Sequence, residues 1–126
     1  GFELAEDEIE YGVGTHGEPG YRREKLQSSK VLAKELVPKI LADYQEKPKE
    51  VGVLVNGMGG TPLMELFVFM NDVQQLLEQA AVKVTFHKVG NFMTSLDMQG
   101  LSLTMIDLTD TNWQEALESE VQTISW

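Results

Sequence analysis

Apolar and polar residues alternate over residues 8–15, where Ile9, Tyr11 and Val13 fall on one side. A period of two predicts a half-buried strand there. A loop over residues 16–23 follows, broken by Gly17, Pro19 and Gly20. The period then lengthens. Leu32, Leu36, Ile40 and Tyr44 form one stripe, with Ala33, Val37 and Leu41 beside it, which predicts a helix over residues 25–45. Pro38 lies inside that helix and is expected to kink or loosen it. Residues 46–49 read as a turn. The short, nearly unbroken apolar run 51–55 predicts a buried strand.

Asn56-Gly57-Met58-Gly59-Gly60 reads as a loop, with Thr61 as N-cap and Pro62 as first residue of a helix reaching Ala80. Leu63, Leu66, Met70, Val73 and Leu77 form its core stripe, widened by Phe67 and Phe69. A strand over 82–89 leads to a polar loop over 90–95, then a short turn at 96–99 and a strand over 101–108. Asp110 or Thr111 is expected to cap a short helix at 113–119, with Trp113, Ala116 and Leu117 as its apolar face. Residues 121–126 could add a last strand. The succession predicts one α/β domain of two layers, a mixed β-sheet with helices packed mainly on one face.

Composition narrows the partners. The chain has 126 residues and a formal net charge of -10, which disfavours nucleic acid and anionic membrane. Acid crowds both ends: Glu3, Glu6, Asp7, Glu8 and Glu10 at one, Asp107, Asp110, Glu115, Glu118 and Glu120 at the other. These read as solvated faces or as a docking surface for a basic partner. There is no cysteine, which excludes disulfides, thiolate metal sites and a cysteine nucleophile, and fits a reducing cytoplasm. No signal peptide and no bilayer-length apolar stretch is visible. Opening at Gly1-Phe2 without methionine suits an excised domain or a tag scar.

Three glycine-rich loops carry the candidate chemistry: 14–20, 56–61 and 90–95. If the three strands before them ran parallel, the loops would gather at one sheet edge. The middle loop lacks the Lys-Ser/Thr of a nucleotide phosphate loop; Thr61-Pro62 stands there, and no lysine follows until Lys83. Its glycines then serve a tight turn. His16 and His87 show no metal-ligand spacing, even with Glu18 added, and His87 reads as an edge residue. Ser95 and Asp97 lack the context of a nucleophile elbow. His16 remains. A neutral imidazole can attack a carbonyl carbon or take a proton. Gly14 and Gly17 leave room beside it, and Glu18 could hold its tautomer. A histidine that merely caps a turn is the other reading.

Gly14-Thr15-His16-Gly17-Glu18-Pro19-Gly20, Asn56-Gly57-Met58-Gly59-Gly60-Thr61-Pro62 and Gly90-Asn91-Phe92-Met93-Thr94-Ser95-Leu96-Asp97-Met98 together resemble the dihydroxyacetone kinase family. The likeness is to the second, C-terminal half of its substrate-binding domain, subunit K in bacterial systems, over essentially the whole of residues 2–126. It implies that the N-terminal domain is missing from this segment. It also implies that His16 bonds covalently to the carbonyl carbon of dihydroxyacetone as a hemiaminal. Gly14, Gly17, Glu18, Asn56, Gly57, Gly59 and Gly60 would support the substrate loops. No cofactor or metal would be bound here. ATP or ADP with Mg would sit on a partner domain or subunit, or phosphoenolpyruvate would supply the phosphoryl group through carriers of the phosphotransferase system. The remaining polar contacts and acid/base residues would come from the first half, so the fragment alone would be inactive. The family implies a cytoplasmic homodimer in glycerol metabolism. Stopping at Trp126 suits a stand-alone subunit or, equally, a boundary cut within a longer ATP-dependent kinase. Thr15 stands where the motif commonly has isoleucine, which touches packing and not the covalent chemistry. The resemblance equally admits a non-enzymatic paralogue that binds dihydroxyacetone and activates a transcription regulator. A domain serving only dimerisation and docking is the third reading.

Overall fold

The computed structural model describes residues 3–126; Gly1 and Phe2, where the sequence opens, lie outside them. The elements are β1 (Glu8–Tyr11), β2 (Arg22–Lys25), α1 (Ser29–Ala42), β3 (Glu50–Gly59), α2 (Leu63–Gln79), β4 (Lys83–Gly90), β5 (Gln99–Asp107) and α3 (Thr111–Glu118). A three-stranded sheet has the order β4-β3-β5, with β4 parallel and β5 antiparallel to β3. A mixed sheet in an α/β domain is thus what forms.

Val51, Val53 and Val55 alternate along β3 and are at most 1% exposed. They pack under Ala33 and Val37 of α1 and Leu66, Phe69, Met70, Val73 and Leu77 of α2. Each of these valine, leucine, phenylalanine and methionine side chains gains roughly 1.5–3 kcal/mol from leaving water, so this face anchors the domain. The other face carries Leu54, Phe86 and Ile106 beside Leu117 of α3 and Trp126. Asp110 caps α3, its side chain accepting from the Asn112 amide.

Several elements differ from expectation. β1 does not join the main sheet. It pairs antiparallel with β2, a strand that local pattern hid, because Arg22-Arg23-Glu24-Lys25 has no apolar alternation. Ion pairs close this ribbon instead: Arg23 to Glu10 at 2.9 Å, and Lys25 to Asp7. The first helix accordingly starts at Ser29 and runs through Pro38 to Ala42. β3 continues four residues beyond Val55, because β5 pairs it as far as Gly59. Pro62, not Thr61, is the N-cap of α2; the Thr61 hydroxyl donates to the Gly100 carbonyl at 2.8 Å instead. Residues 121–126 form no strand. Trp126 stacks on Phe86, with ring centroids 6.2 Å apart. The apolar stripe of α2 is core only in part, since Leu63 and Phe67 are each 52% exposed.

Candidate functional site

His16 sits at the tip of the β1–β2 hairpin. The base of the tip is closed by the Tyr21 amide donating to the Tyr11 carbonyl at 2.9 Å. The Glu10 carboxylate accepts from the Gly20 amide at 2.7 Å and from Arg23 Nε at 2.9 Å. The tip folds on itself: the Gly14 amide donates to the Glu18 carbonyl at 2.9 Å, and the Gly17 amide to the Gly14 carbonyl at 3.0 Å. Gly17 has φ +86° with open space around it, a conformation that favours glycine.

The Glu18 carboxylate turns back under the tip. One oxygen accepts from the His16 amide at 3.0 Å, and the other lies 3.5 Å from His16 Nδ1. The backbone amides of Glu18 itself and then of His16 hold this carboxyl below the usual glutamate range. Gly14 makes the fold-back possible, since a Cβ there would lie 2.7 Å from the carboxyl carbon of Glu18. The imidazole is 88% exposed. Nδ1 faces Glu18, which leaves Nε2 as the ring nitrogen turned from that carboxylate.

Helix α1 holds the hairpin. The Tyr21 hydroxyl donates to Glu35 at 2.9 Å, Arg22 pairs with Glu35 at 3.3 Å, and Lys39 Nζ lies 4.6 Å from the Tyr21 ring centroid. Burial first, and the Glu35 carboxylate second, push the Tyr21 phenol up to about 12. Local motif reading did not single out Glu10, Tyr21, Arg23 or Glu35. The one signal for them was opposite charge on either side of the loop.

The other two loops do meet. β3 and β4 are parallel, so their ends lie together, and Asn56 ties them. Asn56 is 3% exposed. Its Oδ1 accepts from the amides of Phe92 and Met93 at 2.8 and 2.9 Å. Its Nδ2 donates to the Met93 carbonyl at 2.7 Å and the Ser102 hydroxyl at 3.3 Å. The Gly59 amide is taken by Thr94 Oγ1 at 2.9 Å and the Gly60 amide by the Met98 carbonyl at 2.7 Å. A Cβ on Gly57 would press on Leu66, 2.7 Å away. These residues form an internal latch whose amides are already used. The first loop does not join them in the way three parallel strands would require, because β1 lies outside the main sheet. Its hydrogen bonds run within the hairpin and to α1. His87 is exposed on the edge strand β4. Among the described residues no helix is long and apolar enough to cross a membrane.

Known proteins resemble this chain throughout. The Dak1 domain family matches residues 1–125. The dihydroxyacetone-binding subunit DhaK of a PTS-dependent dihydroxyacetone kinase from Lactococcus lactis is 58% identical over 127 residues, covering 100% of this chain and 38% of that protein. The solved dihydroxyacetone kinase operon co-activator Dha-DhaQ superposes with a TM-score of 0.86 at 48% identity, over 94% of this chain and 37% of its own. The dihydroxyacetone kinase from C. freundii, solved with AMP-PNP and Mg2+, superposes with a TM-score of 0.77 at 29% identity, over 98% of this chain and 22% of its own. The chain therefore spans well under half the length of each of these relatives.

Proposed function

Because the chain belongs to the Dak1 domain family, we propose that it is the part of a dihydroxyacetone kinase that holds the substrate on His16. The observation that carries this reading is the hairpin tip itself. It presents an exposed imidazole with Nδ1 against a carboxylate and Nε2 turned away from it. In the Nδ1–H tautomer, the Nε2 lone pair adds to the carbonyl carbon of dihydroxyacetone. The carbonyl π pair moves to oxygen, which takes a proton and becomes the hydroxyl of a hemiaminal. The ring carries a positive charge until Nδ1–H is released, and the Glu18 carboxylate is placed to stabilise that charge. A carbonyl is required, so glycerol is refused. The substrate is then phosphorylated on a nucleotide-bearing partner with Mg, either from ATP or through a held ADP that receives its phosphoryl group from phosphoenolpyruvate by way of phosphotransferase carriers, while the first half of the subunit supplies the remaining acid/base groups. The C-terminal position of this segment in that subunit belongs to the same proposal.

Intact-mass measurement of the full-length protein with dihydroxyacetone is the test. A single triose adduct is expected, and His16→Ala abolishes it; an adduct that survives the substitution refutes covalent attachment at this ring. A second reading is favoured by the 48% identity to a solved co-activator. In it the same adduct reports dihydroxyacetone to a transcription regulator. Phosphoryl transfer with the cognate nucleotide subunit separates the two, since a co-activator gives the adduct and no dihydroxyacetone phosphate.

A further inference from the structure

The tip that carries His16 holds its own geometry. The Glu18 carboxylate and the Gly14 and Gly17 amides act within residues 14–18. They fix the imidazole relative to the tip, and not relative to the main sheet. The direction in which the tip faces needs a second set of contacts. Strands β1 and β2 form a two-stranded sheet of their own, and such a ribbon has little stability by itself. What ties it to the body of the domain therefore sets where His16 points.

Glu35 of α1 is placed to be that tie. Its two carboxylate oxygens take two neighbouring hairpin residues. Oε1 accepts from the Tyr21 hydroxyl at 2.9 Å, and Oε2 pairs with Arg22 Nη2 at 3.3 Å. Both residues lie on the leg that leaves the tip. The leg that enters it is caught through Tyr21. A Cβ on Gly12 would lie 2.7 Å from the Tyr21 ring, so the ring rests directly on the Gly12 backbone. The Tyr21 ring also stacks on Tyr11, with centroids 6.0 Å apart. One carboxylate thus holds both legs below the tip. Glu35 is held in turn. Lys39, one helical turn on, pairs with it at 3.6 Å and stands over the Tyr21 ring. Helix α1 is fixed beneath it, since Ala33 and Val37 are buried in the core and the Ser29 hydroxyl donates to Asp72 of α2 at 2.7 Å.

We propose that Glu35 is a positioning residue: it fixes the direction in which the hairpin presents His16, and with it the bound triose, to the group that acts on that triose. The role at the bound triose rests on the reading of His16 as the attachment point. Its consequence is a split between two steps. Addition of Nε2 to the carbonyl carbon uses the tip alone, so it proceeds without Glu35. Phosphoryl transfer needs the hydroxyl of the bound triose in line with the incoming phosphorus, and a displacement on the order of 1 Å there costs about a hundredfold in rate. A carboxylate that served stability alone would not separate the two steps.

Full-length Glu35→Ala, assayed with the nucleotide-bearing partner, is expected to gain the triose adduct at an unaltered rate and to transfer phosphate about tenfold to a hundredfold more slowly. Glu35→Gln should fall between, because its amide oxygen still accepts from Tyr21 while the charge facing Arg22 is gone. Equal phosphoryl transfer with and without Glu35 overturns the proposal. So does a parallel loss of adduct and transfer, which would place Glu35 in the stability of the tip. A readout free of the chemistry uses spin labels at Thr15 and His87, both exposed, in labelled full-length protein diluted into unlabelled protein. The distance between tip and sheet is expected to be narrowly distributed with Glu35 and broad in Glu35→Ala, at a temperature where both are folded. An unchanged distribution overturns the positioning role. Absence of the adduct from the unsubstituted protein would strike the reading of His16 instead, and the distance measurement would still decide whether Glu35 sets the direction of the hairpin.

Discussion

At the scale of residues, Gly14 matters because of what lies beside it. Its hydrogen is the only group that lets the Glu18 carboxylate fold beneath the tip and reach both the amide and Nδ1 of His16. A methyl there would sit 2.8 Å from the Glu18 Cβ as well as against the carboxylate, and the side chain would have to leave. The φ of Gly14 is not in the left-handed region, so alanine meets no backbone obstacle. Gly14→Ala should therefore leave the fold intact and slow formation of the dihydroxyacetone adduct by about tenfold to a hundredfold, the usual effect of a misplaced reacting group. A time course of adduct mass beside a thermal melt checks this. An unchanged rate would mean that Glu18 does not position the ring. The contact between His16 and Glu18 was legible in the sequence as two residues of one motif. The reason for Gly14 was not, because a close approach across four residues has no pattern of its own.

At the scale of elements, the hairpin is an appendage that α1 holds by polar contacts, and Tyr21 is the hinge-pin of that docking. Its phenol is raised from 10.0 to about 12, chiefly by burial and next by Glu35. The folded state thus keeps this proton more tightly than the unfolded chain does. The stabilisation is complete below pH 10 and is lost as pH rises from 10 to about 12. Denaturation midpoints across that window should fall, and should fall less steeply in Tyr21→Phe, where of the three tyrosines only Tyr11 and Tyr44 remain and the lysines titrate alike in both proteins. Tyrosinate absorbance should show Glu35→Gln lowering the Tyr21 transition while leaving it above 10, since burial is the larger cause. Equal pH slopes in the two proteins would sink the assignment.

Other elements divide by whether their cause is local. The α2 stripe of Leu66, Met70, Val73 and Leu77 shows in its spacing, because one helix face sees one core. Leu63 and Phe67 satisfy the same spacing but stay half exposed, since periodicity marks an apolar face and not how far its cover extends. β2 and the far end of β3 escaped because both are strands by virtue of a partner distant in sequence. Arg22–Lys25 is held by β1, and Asn56–Gly59 by Ser102–Gln99.

At the scale of the whole molecule, the domain has a closed interior and an open site. Core residues from α1, β3 and α2 are at most 4% exposed, so these three elements bury a common interior, while Leu63, Met64, Phe67 and Val68 of α2 stay at least half exposed. The His16 imidazole is 88% exposed, and the Gly59 and Gly60 amides are taken by Thr94 and Met98 instead of facing a phosphate. Phosphoryl transfer depends on positioned cations and donors around the transferring group, in a site closed to water. Nothing in the latch offers either. The 126-residue chain should therefore fold, acquire the triose adduct at His16, and give no dihydroxyacetone phosphate with ATP and Mg above a protein-free control. Turnover is expected only when the rest of the subunit and a nucleotide-bearing partner are restored. Intact mass and a coupled assay for dihydroxyacetone phosphate, run on one sample, check both halves. Turnover by the chain alone would show that the acid/base and nucleotide groups lie within these residues, and the division of labour would fail. An adduct with the full-length protein but none with the chain would instead show that the first half is needed to close the site around the ring before the carbonyl can be attacked.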